Sequence, residues 1–201
     1  MALYDVTGTI ADWIMAGAAA YAAWNAKSWF SQRSHTTGFD KAEEILHKID
    51  SFYLRTQESV LHLHSELEYL NAVSYGSTNP DESFLKKYED LKEKHDSIID
   101  EIRKLRDEIK LIERWSISLR QKSMVNQVVD ALSYANNSAS LAYSNARGCI
   151  YNIKYMGKEE FDVTLVYYKK YYEEFLKDLI LVERHYQLFV SIKFTKMFKI
   201  K

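Results

Sequence analysis

One proline and six glycines in 201 residues leave this chain almost without helix breakers. That scarcity argues against a strand-and-turn architecture and in favour of long helices. Cysteine is nearly absent as well. The lone Cys149 excludes an intrachain disulfide framework and fits a reducing compartment. No cationic cluster adjoins it in sequence, so it reads as a buried structural thiol. An excess of charge is missing too, since 27 Lys and Arg balance 28 Asp and Glu. With a formal charge of -1 there is no global pull toward nucleic acid, and none is expected as a partner. No phosphate-cradling glycine loop, nucleophile elbow or zinc-ligand set occurs. The sequence therefore assigns no catalytic residue, cofactor, metal site or small-molecule substrate. Apolar residues, at 47%, are abundant enough for a sizeable core.

Those apolar residues are periodic. From Phe84 they run through Tyr88, Leu91, His95, Ile98, Ile102, Leu105, Ile109 and Ile112, alternately four and three apart. That is the heptad spacing of a coiled-coil face. Asn79, Pro80, Asp81 and Glu82 supply the cap, first-turn and dipole signals for its start. A second strict seam runs through Phe161, Leu165, Tyr168, Tyr172, Phe175, Leu179, Val182, Tyr186 and Phe189, after a stop at Gly157.

An earlier stripe joins Ala42, Ile45, Ile49, Phe52, Thr56, Val60, Leu63, Leu67 and Leu70, with a stutter near Thr56. Asp40 with Glu43 reads as its capping box, and "SYGSTNP" at Ser74 to Pro80 as its end. After Leu119 the apolar face changes phase, to Val125, Val129, Leu132, Ala135, Ala139, Ala142, Ala146 and Ile150. A straight packed helix cannot switch face in this way, which predicts a turn or kink between Ser116 and Val125. The expected helices lie near 40–75, 81–119, 124–155 and 158–199, behind an N-terminal apolar one.

That first segment is the ambiguous one. Val6 to Trp24 gives roughly 19 residues with one charge, about the length that spans a bilayer core. Small residues recur four apart, as at Ala16 and Ala20, which lets helices approach closely in lipid. Trp13 and Trp24 suit headgroup depth, and Lys27 and Arg33 follow the segment, placing the N-terminus outside and the bulk in the cytoplasm. Against spanning, alanine is weakly apolar and Asp12 would cost roughly 2.5–3.5 kcal/mol at the bilayer centre. The alternative is a soluble bundle helix; length and flanks favour the membrane.

"ADWIMAGAAAYAAWNAKSWF", followed by a polar stretch and "FDKAEEIL", resembles the head of small bacterial proteins with one N-terminal membrane helix and a cytoplasmic coiled coil. Such proteins are often carried on prophages and other mobile elements. The resemblance covers roughly the first 50 residues, is architectural, and transfers no functional residue. It implies a phage- or defence-related role.

The far end, "SIKFTKMFKIK", alternates Lys193, Lys196 and Lys199 with Phe194 and Phe198. It reads as a basic aromatic surface for anionic lipid, or as a helix end whose lysines complement the dipole. If the four helices alternate in direction, this tail returns to the end from which the first helix departs. His95, alone on its seam, reads as a polar core residue that specifies register or partner. Glu44 and His47 lack the second pair that a di-metal bundle site needs, and His62 and His64 point to different sides of a helix. "YYKKYYEEF" reads as core packing, because its aromatics are seam positions.

The expected protein is all-α, with residues 1–36 as membrane-anchor helix and polar linker and 37–201 as an antiparallel coiled-coil bundle. The membrane-helix residues are Asp12, Trp13, Ala16, Ala20, Trp24 and Lys27. The function read from this is interaction at the bacterial inner membrane, by self-association or with a protein partner through helical seams. The alternatives are a membrane-disrupting, pore-forming effector restrained by its bundle, and a soluble adaptor bundle.

Overall fold

The computed structural model describes the backbone of residues 3–200 and the side chains of residues 21, 23–25 and 37–199. Four long helices dominate: α1 (Leu3–Ser74), α2 (Ser83–Leu111), α3 (Lys122–Tyr155) and α4 (Lys158–Val190). A short helix, α5 (Phe194–Met197), and two strands, β1 (Ile117–Leu119) and β2 (Phe198–Ile200), complete the chain. The protein is an all-α helical bundle.

Charged and polar side chains between helices fix an up-down-up-down order. Lys48 pairs with Glu108 and Arg55 with Glu101, so α1 and α2 run antiparallel. Arg106 with Asp130 and Lys154 with Glu82 do the same for α2 and α3. Ser138 with Asp178 and Asn152 with Thr164 align α3 with α4. Tyr186 with Asp50 and Ser74 with Asp162 close α4 onto α1. The connections are short, as such a bundle requires.

Each periodic face points inward. Ala42, Ile45, Ile49, Phe52, Leu63 and Leu70 of α1 are buried, with Val60 and Leu67 partly so. On α2, Tyr88, Ile98, Ile102, Leu105 and Ile109 are buried, and on α4, Phe161, Tyr168, Phe175 and Val182. The central element is α3, whose Ala131, Ala135, Ala139, Ala142 and Ala146 let its neighbours approach closely.

The predicted turn between Ser116 and Val125 is present. After a 3-10 turn at Ile112–Trp115, Ser116 adopts a left-handed φ of 57°, which ends helical geometry. Gly157, at φ 128°, separates α3 from α4 where a side chain would be strained.

Three expectations need correction. No helix begins at Asp40: α1 runs continuously from Leu3, so Asp40 and Glu43 sit in its interior rather than at a cap. The second helix stops at Leu111 rather than 119, and begins at Ser83, whose amide donates to the Asp81 carboxylate at 2.9 Å. The fourth stops at Val190, and the tail turns back to pair β2 with β1, Ile117 opposite Ile200.

Candidate functional site

The end of the bundle where α1 passes Gly38 is built from three separate parts of the chain. Gly38 is buried against the 3-10 turn, and a Cβ there would meet the Trp115 carbonyl oxygen at 2.3 Å. Only glycine allows so close a passage without displacing that backbone. The Phe39 ring lies 4.6 Å from that of Phe194, which lies 4.9 Å from that of Phe198. The Arg120 amide donates to the Met197 carbonyl at 2.8 Å, extending the β1–β2 pairing. Met197 and Phe198 are buried, so the tail is a structural clamp.

This packing divides the residues predicted for lipid contact. Lys193, Lys196 and Lys199 are exposed, Phe194 is half-buried, and Phe198 faces the core. In place of the helix expected to run to 199, this stretch forms a short helix and a strand, with the lysines exposed and Phe198 buried. The clamp also gathers cations that sequence spacing did not single out. Arg114, Arg120 and Lys122 are exposed at the same end, where segments 112–122 and 193–199 contain Glu113 as their sole acid. These two segments are positive although the whole chain is nearly neutral, while Asp40 and Glu43 of α1 are exposed acids at the same end. A shallow groove of about 210 Å³ beside it is lined by Lys41, Ile45, Glu108, Ile112 and Trp115.

Of the predicted membrane-helix residues, Asp12, Trp13, Ala16, Ala20 and Lys27 lie outside the described side chains, and Trp24 is exposed. Tyr21, near it, is exposed too. Among the described residues, no helix is long and apolar enough to cross a membrane.

His95 lies inside the bundle, 1% exposed, in a closed polar network. The Asn136 amide nitrogen donates to Thr56 Oγ1 and to the Leu132 carbonyl, both at 2.8 Å. Its oxygen therefore accepts from His95 Nδ1, also at 2.8 Å. That leaves His95 Nε2 to accept from the Ser59 hydroxyl at 3.1 Å, while Thr56 donates to the Phe52 carbonyl. Every donor is used, as a buried network requires. Three helices contribute, so the network fixes the register of α1, α2 and α3 together. Burial holds His95 below the usual imidazole range, with the Asn136 hydrogen bond acting against that.

A second buried layer surrounds Glu66, which is 2% exposed. Lys87 and the Tyr88 hydroxyl both donate to its carboxylate, the latter at 2.6 Å. Burial and this carboxylate raise the Tyr88 phenol well above its ordinary range. The Tyr168 hydroxyl donates to the Leu63 carbonyl at 2.6 Å, whereas the buried Tyr143 hydroxyl has no hydrogen-bond partner among the described residues. Cys149 is buried, and desolvation pushes its thiol up to about 12, which makes it unreactive.

The other histidines do not converge. His47 lies 3.6 Å from Glu43, and His64 Nδ1 sits 3.1 Å from the Tyr172 hydroxyl. Among the described residues, no group of three His, Cys, Asp or Glu side chains could hold a metal ion. No family model matches the sequence, and no curated protein or solved structure shows significant similarity to it.

Proposed function

We propose that the chain is a membrane-anchored helical scaffold. In this reading residues 6–26 insert into the bacterial inner membrane, with the N-terminus outside. The clamped end of the bundle rests on the cytoplasmic leaflet, and the bundle's outer faces assemble with a second copy or a protein partner.

One observation carries this reading: segments 112–122 and 193–199, at the end of the bundle from which α1 continues toward Leu3, are basic. Arg114, Arg120, Lys122, Lys193, Lys196 and Lys199 are exposed there, and exposed cations near an anionic surface contribute about 1 kcal/mol each. The described interior supports a scaffold over an enzyme. His95 and Glu66 spend their hydrogen-bonding capacity on neighbouring helices. Such buried polar layers select one register and one packing arrangement. The phage- or defence-related context rests on the architectural resemblance of the first 50 residues alone.

Alkaline carbonate extraction of membranes containing the full chain tests the anchor. Retention in the membrane fraction supports it, and release into the supernatant contradicts it.

A further inference from the structure

The side of the bundle where α1 lies beside α4 carries apolar residues that no described element covers. Leu54 is 61% exposed, Leu61 79% and Ile180 69%. The exposed residues of α2 from Lys86 to Lys110 are instead all charged or serine, as on a solvated face. Charge on α1 and α4 is complementary. Apart from histidines, the exposed charged residues of α1 from Phe39 to Tyr75 are Asp40, Glu43, Glu58 and Glu68, all acids. On α4 from Val166 to Arg184 they are Lys169, Lys170, Lys177 and Arg184 against Glu173 alone. An acidic α1 and a basic α4 suit a contact in which each packs on the other helix of a second copy.

Contacts within one chain fix the register of that pairing. The Tyr186 hydroxyl donates to Asp50 at 3.0 Å, and His64 Nδ1 lies 3.1 Å from the Tyr172 hydroxyl. The Ser74 hydroxyl donates to Asp162 at 3.3 Å, so each step up α1 matches one step down α4. A twofold axis parallel to the helices sets α1 against α4 of the other copy and leaves these levels unchanged. Ile180 of the other copy then lies within two residues, about 3 Å, of the level of Leu54. It falls between Leu54 and Leu61, as a knob falls into a hole. Lys170 comes as near to the level of Glu68, and Arg184 to that of Asp50, so both charged pairs are of opposite sign. Within one chain Lys170 is held only loosely by Glu174, at 3.9 Å, and exchanges for Glu68 of the other copy at little cost. Both clamped ends stay at the same end of the dimer, so both α1 helices continue toward one membrane.

We propose that the α1–α4 face docks a second copy of the chain about a twofold axis parallel to the helices, α1 of each copy against α4 of the other. The proposal rests on the assembly part of the scaffold reading and names its partner and orientation.

Full-length chains carrying Leu54→Cys and Ile180→Cys test it by mild oxidation, separately and coexpressed. Coexpressed chains are expected to form a disulfide-linked dimer, and neither variant alone to do so. Identical helices sit diagonally across the interface, about 14 Å apart when neighbours pack at about 10 Å, whereas a disulfide spans about 7 Å between Cα atoms. Cys149 is buried and does not compete. Adding Lys170→Glu to both chains should reduce cross-linking roughly tenfold by opposing Glu68 of the other copy, and Lys170→Glu with Glu68→Lys should restore it. With one copy turned end for end and Leu54 still at Ile180, Lys170 would lie about 36 Å from Glu68, and neither change would matter.

Absence of the mixed dimer, self-linking of Leu54→Cys equal to mixed linking, indifference to Lys170→Glu, or no rescue by the double reversal would overturn the proposal. Membrane retention of the same samples keeps the two readings apart. A dimer without retention defeats the anchor only, and retention without the dimer defeats this contact only.

Discussion

Acidification from pH 7.0 to 5.5 should loosen the bundle through His95. Folded, the imidazole is held neutral by burial, its Nδ1–H given to Asn136 and its Nε2 accepting from Ser59. Unfolded, it takes a proton near its ordinary value of about 6.5. The folded value is depressed, so below about pH 6.5 the unfolded chain binds the extra proton. Stability is therefore present above that pH and falls as pH drops toward the folded value.

The loss between the two pH values has an upper limit, reached where the folded imidazole takes up no proton, of RT ln[(1 + 10)/(1 + 0.3)], about 1.3 kcal/mol. The charged groups that face the ring are Arg55 on α1 and Lys94 and Asp96 on α2. Arg55 and Lys94 oppose protonation and Asp96 favours it. The carboxylates held low by ion pairs, among them Glu44 at about 2 beside Lys41 and Lys48, lose their contribution only below about pH 4.5. Urea denaturation followed by circular dichroism at both pH values, for the wild type and His95→Gln, isolates the effect. Surface histidines are common to both proteins. The wild type should lose more than the variant over this interval, by up to about 1.3 kcal/mol. Equal losses would refute the assignment of a neutral buried His95.

Two further outcomes follow from side chains in place. Tyr143→Phe removes a buried hydroxyl without a described partner, so thermal unfolding should show unchanged stability or a gain of about 1 kcal/mol. A loss above about 1 kcal/mol would mean that the hydroxyl is satisfied. For a chain of residues 37–201, replacing Lys193, Lys196 and Lys199 by Gln should weaken flotation with anionic vesicles. The expected factor is roughly a hundred at low salt, from about 1 kcal/mol per lysine. Deleting the tail is a poorer test, because it also removes buried Met197 and Phe198. Binding indifferent to both the lysines and salt would remove the basic end from the account.

Much of the bundle is legible because its information is local and periodic. The seams through Phe84 and Phe161 repeat every three and four residues, and α3 shows its face by a change of phase rather than by a breaker. The αL conformation of Ser116 is where that phase change is absorbed. The features that escape are non-local or contextual. Asp40 and Glu43 satisfy a capping pattern, but a local preference worth about 1 kcal/mol does not interrupt a helix whose next turns are anchored at Ala42 and Ile45. Pairing of Leu119 with Phe198 joins residues far apart in sequence, and strands of three residues leave no period to detect. Seam position marks His95 as a core polar residue, yet its partners come from two other helices, and no spacing rule links Ser59 or Asn136 to it. The basic end is hidden in the same way. Arg114, Arg120 and Lys122 become neighbours of the C-terminal lysines only once the clamp folds.

In the proposed arrangement a helix inserted in the bilayer holds the bundle at the membrane. Extracting bacterial membranes that contain the full chain with alkaline carbonate, beside a chain of residues 37–201, tests it most directly. The full chain is expected to stay with the membranes while the shorter chain is released. Release of both, or retention of both, would contradict it.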